Sequence, residues 1–289
     1  MVIFRFFNSF AGIFLSAFLF AGCYGPVLDY DGRVAKAMGL ARDKNWQMEI
    51  IKTDSYFDLA AFLPQTFSNG KTLVMYIGGD GLSWIGRSKI SSNPTPVDPV
   101  ALGLALNHSA VSVMDAVYLA RPCQFVDLKS QKNCQKKYWT SHRFSHEVID
   151  STDKAITQIK NRLNKENIIL VGYSGGGAVA ALVASQRNDV KKIITIAGNM
   201  NHKVWARHHK ISPLTGSLNP ADFSDELKNI HQTHYVGTED KVVPLTILKA
   251  YAAEFPENNK PDIVMIPGVN HNFCWNDIKE NLRKTLHFL

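Results

Sequence analysis

Short unbroken apolar runs alternate with longer amphipathic ones along most of the chain. Leu73-Val74-Met75-Tyr76-Ile77, Asn167-Ile168-Ile169-Leu170-Val171, Lys192 to Ala197, His234-Tyr235-Val236 and Ile263-Val264-Met265-Ile266 are aliphatic and β-branched, without polar alternation. That pattern predicts strands buried on both faces, the habit of a parallel sheet. Met48–Thr53, Phe57–Pro64 and Ser112–Leu119 are further strand-like runs. Between them, Val100–Leu106 reads as a helix start. Glu147–Leu163 carries Val148, Ile149, Ala155, Ile156, Ile159 and Leu163 at helical spacing, a small apolar helix starts at Gly175, and Asp277–Leu286 closes the chain as a helix. Strands alternating with helices predict an α/β fold, with a mainly parallel central sheet covered by helices on both faces. Residues 88–99 are rich in Ser, Pro and Asn and read as loop. Residues 121–146 are irregular and polar. Residues 199–230 lack a long strand pattern and are expected to cover part of a site.

The densest chemistry sits at Gly172-Tyr173-Ser174-Gly175-Gly176, a G-x-S-x-G motif. A buried strand runs directly into it and a small-residue helix leaves it, the setting that a nucleophile elbow requires. The glycines are needed because a Cβ at Gly172 or Gly176 would strike neighbouring backbone in so tight a turn. Ser174 would then stand at the N-terminal end of the helix, with the Gly175 N–H aimed where an oxyanion forms. A Gly-rich phosphate-binding turn is the structural alternative, but the chain lacks the Gly-Lys-Ser/Thr ending that such a turn carries.

This strand–elbow–helix resembles the nucleophile region of the α/β-hydrolases, and the resemblance implies the chain order Ser, acid, His. Beyond Asp240 two histidines remain. His287 belongs to the terminal helix end, whereas His271 follows a strand and the turn Pro267-Gly268-Val269-Asn270, where the base is expected. Gly237-Thr238-Glu239-Asp240-Lys241-Val242-Val243-Pro244 resembles the acid turn of many members of the fold, which makes Asp240 the acid and Glu239 its rival. The loop after the preceding strand, Ala197–Lys210, contains no Asp or Glu. The second oxyanion donor is expected from Ile77-Gly78-Gly79-Asp80-Gly81, with the Asp80 amide first and Gly79 second. His202, His208 and His209 precede the acid strand and read as polar cover, not as metal ligands.

Taken together with Tyr118-Leu119-Ala120-Arg121-Pro122-Cys123-Gln124, Trp139-Thr140-Ser141, Pro213-Leu214-Thr215-Gly216-Ser217-Leu218-Asn219-Pro220 and Pro267-Gly268, these segments are similar to a group of bacterial α/β-hydrolases that includes many lipoproteins. The resemblance implies the fold and the triad Ser174, Asp240 and His271. It implies a serine hydrolase acting on a small-molecule ester or acyl substrate through an acyl-enzyme, with a peptidase or acyltransferase on the same fold as the alternative. A non-catalytic cell-envelope binding protein is a reading from a different class. No cofactor motif is present, and the chemistry requires neither cofactor nor metal.

Charge changes this picture little. Lys and Arg exceed Asp and Glu by 32 to 25 in 289 residues. The pairs Lys136-Lys137 and Lys191-Lys192 are short, reading as solvated faces and not as a nucleic-acid patch. The N-terminus changes it more. An apolar stretch from Phe10 ends in Ala21-Gly22-Cys23, which resembles a bacterial lipobox. Residues 1–22 are then an export signal, Cys23 is lipidated, 23–44 form a tether and 45–289 form the hydrolase domain. The resemblance implies a lipid anchor in the cell envelope, on the outer membrane in a Gram-negative host because Tyr24 and not Asp follows Cys23. An uncleaved apolar anchor and plain secretion are the alternatives. Of the remaining cysteines, Cys123 and Cys134 lie in one polar stretch. Three pairings are open to Cys123, Cys134 and Cys274; a Cys123–Cys134 bridge with Cys274 unpaired is the expectation for an exported chain.

Overall fold

The computed structural model describes residues 28–86, 88–131, 133–272 and 275–287. Its centre is an eight-stranded sheet. The strands are β1 (Trp46–Ile51), β2 (Leu59–Pro64), β3 (Thr72–Ile77), β4 (Asp115–Leu119), β5 (Asn167–Tyr173), β6 (Val190–Ile196), β7 (His231–Gly237) and β8 (Asp262–Ile266). Their spatial order is β1-β2-β4-β3-β5-β6-β7-β8. β2 is antiparallel to both β1 and β4, and every pairing from β4 onward is parallel. The order reverses around β3, so β4 and β5 leave it in opposite directions.

Alternate residues of one strand feed two separate cores. Leu73, Met75 and Ile77 join the core under helices α3 (His146–Arg162), α4 (Gly175–Ala184) and α7 (Leu245–Ala252). Val74 and Tyr76 join the opposite core under α1 (Tyr30–Arg42), α2 (Val100–Leu106) and α8 (Lys279–His287). Because both faces are buried, the strands read as continuous apolar runs instead of alternating ones. Every residue of α4 is buried, which explains its run of Gly and Ala: larger side chains would hold it off the sheet. Between α4 and β7, residues 199–230 form α5 (His202–His208), a short turn of helix and α6 (Ser224–Leu227).

Three expectations are corrected. The tether over 23–44 is, from residue 30 onward, helix α1 packed on the domain. Asp29 caps it, accepting from the Gly32 amide at 2.8 Å, and its buried face is Ala37, Ala41 and Arg33. Arg33 donates to the carbonyl of Thr95 at 2.6 Å, so the buried charge is solvated by backbone. A docking face made of alanines and an arginine carries little hydrophobic signal. The second correction is Lys192. Strand parity puts Lys191 outside and Lys192 inside, where its Nζ donates to the Thr285 carbonyl at 2.7 Å. The third is the 121–146 segment, read as irregular and polar: it is irregular, but it carries buried apolar residues, Phe125, Trp139 and Phe144, and its Arg121, Gln124 and Arg143 are buried with them. A Cys123–Cys134 disulfide closes part of it. Cys23, Cys274 and residues 1–22 lie outside the described residues.

Candidate active site

The nucleophile elbow is built by contacts that only glycine tolerates. A Cβ at Gly172 would lie 2.4 Å from the Gly176 carbonyl oxygen, and one at Gly176 would lie 2.4 Å from that of Ile77. Both approaches are well inside van der Waals contact, so the strand can turn straight into α4 only without side chains there. Ser174 itself sits at φ 52°, a backbone conformation rare for a residue with a Cβ. The strain is held by the Ser174 N–H donating to Ile196 O at 2.9 Å and by its carbonyl accepting from Gly177 and Asn199. Strain so over-determined is a common mark of a working site.

Asp240 and His271 arrive from the loops after β7 and β8. The Ser174 Oγ lies 3.0 Å from His271 Nε2, and His271 Nδ1 lies 2.8 Å from Asp240 Oδ2. The other Asp240 oxygen accepts from the amides of Val242 and Val243, each at 2.8 Å. One carboxylate thus has one oxygen fixed by backbone and the other left for the imidazole. Glu239, its sequence rival, is exposed and bonds through its backbone amide to Val269 O. The base loop is pinned at its carbonyl: Tyr173 Oη donates to His271 O at 2.8 Å, and Trp275 Nε1 donates to the same oxygen at 2.7 Å. Burial raises the Tyr173 phenol, with Asp240 and Asp98 adding to it, so it remains a donor. Tyr173 is the middle residue between Gly172 and Ser174. Its role has no signal in the sequence, because the loop that it holds lies 98 residues away; Trp275 acts locally, four residues from His271.

The loop after β3 reaches the elbow from the other side. A Cβ on Gly175 would fall 2.1 Å from Asp80 Oδ1, so the Asp80 carboxylate presses against the residue after the nucleophile. Asp80 is locked by two guanidinium groups, Arg121 Nη1 at 3.1 Å and Arg143 Nη1 at 2.7 Å. Burial pushes its carboxyl up, but the charges of Arg143 and Arg121 outweigh burial and hold it below the ordinary range. Arg121 Nη2 also donates to the Arg143 carbonyl, and Arg143 Nε donates to Thr140 O at 2.7 Å. Asp80 was legible only as a turn amide; its carboxylate partners were not.

These parts open onto one cleft of about 1150 Å³, lined by Ser174, His271, Asp80, Arg143, Asn199 and the exposed Trp84 among others. His209 Nε2 lies 2.8 Å from Val242 O at the acid turn, and His202, the first residue of α5, is buried. Among the described residues no group of His, Cys, Asp and Glu could hold a metal ion.

Residues 129–213 match a family model described as alpha/beta hydrolase fold. No curated protein sequence matches the chain. Among solved structures, the chain is similar to an alpha-beta serine hydrolase homologue from Coxiella burnetii, at TM-score 0.57 and 16% identity over 83% of this chain and 97% of that one. It is similar to Est1E from Butyrivibrio proteoclasticus at TM-score 0.58 and 15% identity, again covering 83% and 97%. An esterase from Pyrococcus furiosus matches at TM-score 0.57 and 13% identity, covering 85% and 90%. At such identities the likeness is one of fold.

Proposed function

This chain has the α/β-hydrolase fold, and from that premise we propose that it is a serine hydrolase cleaving carboxylic esters. Ser174 Oγ attacks the ester carbonyl while His271 Nε2 takes its proton. The tetrahedral oxyanion accepts hydrogen bonds from the amides of Gly175 and Asp80. Collapse expels the alcohol, protonated by the His271 imidazolium, and leaves an acyl-Ser174. Water activated by the same imidazole then releases the acid and restores the hydroxyl. Asp240 fixes the tautomer that leaves Nε2 free to accept, and stabilises the imidazolium without being protonated.

The observation that carries this reading is the relay from Ser174 Oγ through His271 to Asp240, with both links at 3.0 Å or less. A binding protein that had lost catalysis has no need to keep a strained serine in register with two partners. Amide cleavage and acyl transfer use the same relay. The purified protein given 4-nitrophenyl esters, aminoacyl amides and an added alcohol acceptor separates the three. Ester hydrolysis faster than amide cleavage and than transfer supports the reading, whereas amide cleavage as the dominant activity overturns it in favour of a peptidase.

We also propose that the domain is lipid-anchored through Cys23 in the cell envelope, on the outer membrane of a Gram-negative host. The Ala21-Gly22-Cys23 sequence supports this, as does a disulfide, which persists in oxidising compartments. Among the described residues no helix is long and apolar enough to cross a membrane. Because α1 begins at Tyr30, the spacer is only 24–29, and the domain would stand close to the lipid surface. Loss of lipid labelling and of membrane association in Cys23→Ser is the expected result; unchanged fractionation with residues 1–22 retained would contradict it.

A further inference from the structure

The Asp80 cluster is unbalanced. One carboxylate faces two guanidinium groups, and the side chains of Arg121 and Arg143 are 5% and 8% exposed. One positive charge is therefore left over at the wall of the cleft. The two arginines do not share it equally. Arg121 donates to Asp80 and to the Arg143 carbonyl, its Nε is buried without a partner, and it does not line the cleft. Arg143 lines the cleft, and its Nε and Nη1 are committed to Thr140 O and Asp80. Among the described residues, no hydrogen bond engages its Nη2. A guanidinium N–H can only donate, so this group is open to an acceptor.

A second polar side chain lines the cleft. Asn199 follows β6 and is 3% exposed; its Oδ1 is a buried acceptor without a partner, which an anion cannot satisfy, so its NH2 is the group that can meet one. Its amide makes no side-chain hydrogen bond to the described residues, while its backbone N–H holds the Ser174 carbonyl at 3.1 Å. Arg143 and Asn199 both line the cleft and both lie near α5: the Arg143 guanidinium sits 5.9 Å from the Trp205 ring, and α5 begins three residues after Asn199. The other charged groups lining the cleft do not cancel the excess. Asp98 is exposed and paired with Lys36 at 3.3 Å, Lys210 adds positive charge, and His271 is matched by Asp240.

We propose that Arg143 and Asn199 form an anion subsite, and that the substrate is an ester carrying a carboxylate close to its scissile carbonyl. The inference rests on the esterase reading and adds the substrate class to it. A carboxylate there accepts from Arg143 Nη2 and from the Asn199 NH2 together. The Arg143 side chain is 8% exposed and Asn199 3%, so the pairing is screened less than at a surface. A neutral ester leaves the excess charge and the amide unmatched, which is the kind of polar mismatch that discriminates strongly between substrates.

The test uses matched ester pairs on the full-length protein. On the acyl side, the mono-4-nitrophenyl esters of glutaric and adipic acid are compared with their methyl-capped counterparts. On the alcohol side, acetyl esters of 4-hydroxybenzoate and of its methyl ester are compared. The expected result is a kcat/KM ratio favouring the anionic member by about ten- to a hundredfold in at least one series. Arg143→Gln and, separately, Asn199→Asp should drive that ratio toward or below one; should Arg143→Gln fail to fold, Asn199→Asp carries the test. A wild-type ratio of one or less in both series, in protein whose Ser174 still reacts with a fluorophosphonate, overturns the subsite and leaves the hydrolase reading standing. A preserved ratio in the folded variants overturns the assignment to these residues. Failure of both labelling and turnover overturns the hydrolase reading itself, and the subsite with it.

Discussion

Asp240 and Asp80 both lie beside the nucleophile, one through an imidazole and the other against the backbone of Gly175. Asp240 is buried and Asp80 half-buried, and both are held by short hydrogen bonds at 2.7 to 3.1 Å. What differs is the partner. Asp240 faces an imidazole, whose far nitrogen can take the Ser174 proton and return it. Asp80 faces two guanidinium groups, whose protons never leave. The first arrangement can follow a charge that appears and disappears during a reaction. The second is a fixed brace that holds the 78–81 loop, the 121–146 segment and the start of α4 together.

That contrast is open to attack from both ends. Asp240→Asn should lower turnover by ~10⁴-fold, as loss of the acid does in a Ser-His-Asp triad, while the exposed Glu239→Gln stays within a few-fold of wild type. Reversal of these two effects in ester kinetics would transfer the acid role to Glu239. Asp80→Asn should instead act on stability, because it strands two buried guanidinium groups. A loss of about 3–5 kcal/mol in urea unfolding is expected, and a loss under 1 kcal/mol would show that the brace bears little. The Cys123–Cys134 bridge braces the same segment by covalent means. Its span of 11 residues corresponds to a loss of about 2–3 kcal/mol for Cys134→Ser, read in the same denaturation series. Equal stability of the oxidised and reduced wild type would remove the disulfide from the account.

The same contrast explains what the sequence could disclose. The meeting of Ser174, His271 and Asp240 was legible because each residue is announced locally. G-x-S-x-G follows a buried strand, Asp240 sits in a strand-to-helix turn ending at Pro244, and His271 follows a strand and a Pro-Gly turn. Strand order brings the three together without further information. The arginine brace has no such local mark. Arg121 and Arg143 lie 41 and 63 residues from Asp80 in an aperiodic stretch, and nothing in that stretch distinguishes a buried arginine from a solvated one. Helix α1 was missed for a related reason: it docks through Ala37 and Ala41, whose burial adds little hydrophobic contrast. Lys192 was misread because a lysine pair on a strand points to opposite faces, and composition is blind to parity. The sheet, by contrast, was legible nearly to its ends, since two buried faces write an unbroken apolar run.

The central claim is that Ser174 is the reacting atom's owner, and covalent capture tests it most directly. Purified protein treated with a fluorophosphonate should gain one phosphonyl mass, localised by peptide mapping to the segment holding Gly172 to Gly176. Ester turnover should be lost in proportion to labelling. Ser174→Ala, with an unchanged unfolding transition, should neither label nor turn over ester. Undiminished hydrolysis by folded Ser174→Ala, or a label mapping to another residue, would contradict the account.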